Sequence, residues 1–126
     1  MRVAAILLQN AVRVLGLALI ILGFLFWSGH YFQLIPLHMR LGETLCALLW
    51  ILAILGIVAR LNAGLTLGAI LWGVLTVVFG MNMGKLLPGR VHELIRVLHF
   101  LVGLAAIGLA ESLAARLKRR LKAAGG

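Results

Sequence analysis

Acidic residues are almost missing from this chain: 126 residues contain three glutamates and no aspartate against twelve Lys and Arg, for a net charge of +9. With no aspartate, no serine presented beside a base and no glycine-rich phosphate loop, hydrolytic chemistry has no residues to carry it. Cysteine is nearly as scarce. The one thiol, Cys46, lies in an apolar run, so no intrachain disulfide can form and the residue reads as small packing material. A separate soluble domain is excluded, because no polar stretch is long enough to build one. The basic excess does not point to nucleic acid either: the Lys and Arg residues flank apolar segments, where they act as topology signals.

What the chain has instead is apolar sequence. Hydrophobic residues make up 63% of it and mean hydropathy is +1.14, far outside the range of soluble domains. The composition predicts one integral membrane domain, residues 1–126, of four spanning helices. Val3–Asn10, followed by Arg13, reads as an interfacial start, with the first span over about 14–32. No small-x-small cleavage site follows that run, so it is expected to be retained as a helix. Pro36 suits the first turn of a second helix, 37–59, closed by Arg60. Leu61 and Asn62 turn the chain into a third, 63–83. The run Gly84 to Gly89 breaks that helix. A fourth spans 91–115 and ends in a basic tail, 116–126.

Loops this short force antiparallel neighbours, so the expected fold is all-α: an up-down four-transmembrane-helix bundle with both termini on one side. That side carries Arg2, Arg13, Arg60, Arg116, Lys118, Arg119, Arg120 and Lys122. The positive-inside bias makes it cytoplasmic, as for a multi-pass protein of a bacterial inner membrane. The other four basic residues, Arg40, Lys85, Arg90 and Arg96, gather at the outer end against that bias, as though something anionic were held there.

All four histidines also fall at the outer end. Imidazoles are costly in lipid and usually face a cofactor, a metal or a polar cavity. His38-x-x-x-Gly42 and His99-x-x-x-Gly103 repeat one step, preceded by His30 and His92 at eight and seven residues, a pattern that a duplicated hairpin would leave. His92 and His99 share a helical face with Arg96, and His99 lies about 4.5 Å along the axis from that arginine. Ala106 and Ala110 continue the face. Helices two and four run the same way, so His38 and His99 approach at similar depth. Gly16 and Gly23, and Gly73 and Gly80, form stripes on helices one and three.

Two opposed imidazoles beside glycine are what a six-coordinate b-type haem needs, and Arg40, Arg90 and Arg96 can pair with its propionates. In this respect the chain resembles the four-helix core of membrane cytochromes b and cytochrome b561-like proteins. The resemblance covers most of the chain in architecture and His38, Gly42, His99 and Gly103 in motif. It implies haem b on His38 and His99 and electron transfer to a quinone or a redox protein. The inner half holds no histidine, so one haem near the outer face is all that it implies.

Other readings use the same residues. His30, His38 and His92 with Met39, Met81 and Met83 form a mixture suited to copper, with His30 and His92 as further metal ligands. A small-solute or cation transporter would use Glu43 or Glu111. A cofactor-free accessory subunit would leave the histidines interfacial and the glycines as packing devices, which also permit a homodimer. Glu43 is placed to pair with Arg40 or orient an imidazole, and Glu111 to form an interfacial ion pair. Trp27, Trp50 and Trp72 read as lipid-facing or core aromatics.

Overall fold

In a computed structural model, which describes residues 1–85 and 89–125, the chain is an antiparallel four-helix bundle. The helices are α1 (Arg2–Trp27), α2 (Ile35–Val58), α3 (Ala63–Asn82) and α4 (His92–Gly125). Single 3-10 turns cover Phe32–Leu34, Met83–Lys85 and Gly89–Val91. All four helices are long and apolar enough to cross a membrane. Leu86, Leu87 and Pro88 of the expected break, and Gly126 of the expected tail, lie outside the described residues.

Three boundaries differ from the sequence expectation. α1 starts at Arg2, so the interfacial start expected before Val14 is regular helix continuous with the span: buried Gln9 donates through Nε2 to Glu111 Oε1 at 2.6 Å, and the exposed Arg13 guanidinium pairs with the same carboxylate. It ends at Trp27, short of Phe32, where Gly29 at φ +87° lets His30 N–H reach back to the Leu25 carbonyl at 2.9 Å. α4 runs through the expected basic tail to Gly125. Lys, Arg, Leu and Ala are strong helix formers, cations suit a helix C-terminus, and Leu117 is fully buried with Leu121 packed beside it.

α2 closes the same way as α1, but with Arg60 at φ +57° in the glycine position and Leu61 N–H bonded to the Gly56 carbonyl at 2.8 Å. Asn62 then caps α3, its side chain accepting from Leu65 N–H at 3.0 Å.

α2 and α4 touch across the short diagonal of the bundle, with α1 and α3 at the far corners. Packing is uneven along its length. Ala5, Val12, Leu49, Leu52, Ala53, Ala69, Ala110, Leu113 and Ala114 are fully buried, and all lie in the half nearer the termini. Small residues on α4 let that half close tightly. Trp50 and Trp72 tie helices at mid-depth, donating ring N–H bonds to the Ile70 and Val102 carbonyls at 3.1 and 3.0 Å. Gly73 makes room for the Trp50 ring, which a Cβ there would strike. Beyond this level the helices part.

Candidate functional site

The space opened by that parting is a cavity of about 480 Å³ in the half of the bundle away from the termini, within the range of ligand and cofactor pockets. Each helix contributes one glycine to its wall: Gly23, Gly42, Gly80 and Gly103. His38 enters from α2 and His99 from α4. Their ring centres are 6.2 Å apart, with the planes at 57°.

Two glycines fit against these rings. A Cβ on Gly23 would lie 3.9 Å from His38 Cε1, and one on Gly80 3.5 Å from His99 Cε1. A Cβ on Gly103 would meet nothing within 4 Å, so that wall faces open space. Aromatic rings hold the imidazoles from outside the pair. Phe26 meets His38 edge-on at 5.4 Å, and Phe79 lies parallel to His99 at 6.0 Å.

The Nδ1 atoms of both His38 and His99 are buried without a hydrogen-bond partner among the described residues. Leaving such a group unsatisfied costs about 1–3 kcal/mol. Both histidines line the same cavity from facing helices.

The charged residues divide. Arg96 lines the cavity and pairs with Glu93 at 3.4 Å, and Glu93 also accepts the Trp27 ring N–H at 2.6 Å. Trp27 thereby spans α1 and α4 at the rim, a polar role that its aromatic character did not reveal. Arg40 is 81% exposed and does not line the cavity; it pairs at 3.5 Å with Glu43, which does. Arg90 is exposed on the 3-10 turn before α4. Of the three arginines expected at one anionic group, only Arg96 reaches the cavity.

The histidines divide too. His92 lines the cavity, whereas His30 is exposed and bonded to Ser28 Oγ at 3.2 Å. Among the described residues no group of three or more His, Cys, Asp or Glu converges to hold a metal ion, so the His30, His38 and His92 set considered for copper is not assembled. Met39, Met81 and Met83 do line the cavity. Glu111 is the ion-paired residue expected, with Arg13 as its partner and not Arg116.

Phe26 and Phe79 are site residues that sequence reasoning missed. Phe79 directly precedes Gly80, and Phe26 stands three residues beyond Gly23, so both glycine stripes pointed toward them. Comparison of the chain with protein-family models, with characterised protein sequences and with solved structures gives no match in any of the three.

Proposed function

We propose that this protein binds one b-type haem between α2 and α4 and carries electrons within the membrane, with a quinone or a redox protein as the exchange partner. The observation that carries this reading is the pair His38 and His99: 6.2 Å apart, each with a buried unpartnered nitrogen, in a cavity to which every helix gives a glycine. His38 and His99 would hold the haem iron. Gly23, Gly42, Gly80 and Gly103 keep the walls flat enough for a macrocycle. Arg96, held by Glu93, supplies the cation for a propionate at the rim. Phe24, Phe26 and Phe100 keep water from the ring, and the low polarity they create sets the redox potential together with the axial ligands. When bound, the group supplies reversible one-electron transfer; the chain supplies its orientation and insulation.

The basic residues at the terminal end support an orientation with both termini in the cytoplasm of a bacterial inner membrane and the cavity toward the outer face, in keeping with the positive-inside bias. The test is an absorption spectrum of the purified protein, oxidised and dithionite-reduced, beside metal analysis. A sharp reduced α-band and a shifted Soret peak, both lost in His38→Ala and in His99→Ala, are expected. A stable protein that takes up no haem overturns the reading, and copper bound in place of haem moves the assignment to the methionines and histidines of the same cavity.

A further inference from the structure

The opposite end of the bundle holds a smaller cavity of about 330 Å³, lined by Arg2, Ile6, Ala115, Lys118, Arg119 and Lys122. Positions 115, 118, 119 and 122 follow the i, i+3, i+4, i+7 spacing of one helical face, and Arg2 and Ile6 stand one turn apart on α1. The start of α1 and the extension of α4 therefore present four cations across one groove with an apolar floor. None of the three glutamates forms an ion pair with them among the described residues, since Glu43, Glu93 and Glu111 pair with Arg40, Arg96 and Arg13; Glu111 offsets Lys118 only from a distance. Compensation of the helix dipole explains Lys and Arg in the last turns of α4, but Arg2 sits at the positive end of α1, where the dipole opposes it. Like charges gathered against a dipole favour an anion between them.

We infer that this groove binds the headgroup phosphate of an anionic phospholipid in the leaflet on the side of the termini. A lipid fits better than a soluble anion for two reasons. The groove adjoins the exposed apolar surface of Val3, Ile6 and Leu7, along which acyl chains can lie. Helix α4, at 34 residues, is about 51 Å long against ~30 Å of hydrocarbon, so its basic end reaches headgroup depth. Basic pockets between helices at that depth are the usual receptors for acidic headgroups. The inference stands apart from the haem reading, because it concerns the other end of the molecule.

The experiment is native mass spectrometry of the full-length protein in detergent, titrated with phosphatidylglycerol, with phosphatidylcholine, and with inorganic phosphate as a competitor. Phosphatidylglycerol is expected to bind roughly tenfold or more tighter than phosphatidylcholine. The preference disappears in a Lys118→Gln, Arg119→Gln, Lys122→Gln variant and persists in Arg116→Gln, Arg120→Gln, which removes charge from the same stretch outside the groove. Equal retention of the two lipids, or equal loss in the two variants, overturns the site. Displacement of the lipid by inorganic phosphate overturns the lipid and leaves an anion site. Should the triple variant not fold, Arg2→Gln, at the exposed start of α1, is expected to weaken the preference in its place, and an unchanged preference there counts against the groove.

Discussion

Gly80 and Gly73 lie about two turns apart on one face of α3 and serve opposite purposes. A side chain at Gly80 would enter the cavity beside the His99 ring. Overpacking costs about 1–3 kcal/mol, so Gly80→Leu should weaken haem binding by roughly tenfold or more while circular dichroism and elution volume stay those of the parent. Full haem loading in that variant would remove Gly80 from the site. Gly73 faces the Trp50 ring instead, whose N–H is tied to the Ile70 carbonyl. Gly73→Ala should therefore lower stability by about 1–3 kcal/mol, seen as an earlier midpoint in an SDS unfolding titration, without reference to any ligand. The same residue type, seven positions apart, separates binding from packing.

The turns between helices carry their own stresses. Arg60 ends α2 in a left-handed conformation that costs a non-glycine residue roughly 1–2 kcal/mol, and the part of it used by other residues is the backbone carbonyl, which accepts from Arg120 Nη2 at 3.0 Å. Arg60→Gly keeps that acceptor and should raise the thermal midpoint; a fall would mean that the side-chain charge matters more than the backbone. Asn62→Ala removes the cap on α3 and should cost about 1 kcal/mol in the same assay. Much of this level was legible in the sequence. Pro36, Asn62 and the apolar runs place three of the four helix starts, since proline and capping residues act locally. Arg2–Arg13 and Arg116–Gly125 were not legible as continuous helix, because what settles them lies far away in sequence: Glu111 satisfies Gln9 and Arg13, and the inner core buries Leu117. At the site, His38, His99, Gly42 and Gly103 were readable from spacing alone, and the structure brings all four to one cavity. The rim was not, since Arg40 turns to solvent although its partner Glu43 lines the cavity, while Glu93 and Trp27 meet only through the fold.

Taken whole, the molecule has polarity along its axis: cations and dense packing at one end, histidines and open space at the other. Its orientation in a membrane can be read by labelling. In right-side-out vesicles, with Cys46 replaced by Ala, a cysteine at Ser28 should react with an impermeant maleimide, and one at Gly125 only after permeabilisation; the reverse pattern would invert the proposed topology. Because the tightly packed half lies beyond the cavity, the apoprotein's cohesion and its capacity to bind are held by different residues. A ligand at the hollow end then adds to stability by mass action alone. Melting temperature should then keep rising with the logarithm of free ligand concentration above Kd, and the cavity wall can change without the bundle having to relearn how to fold.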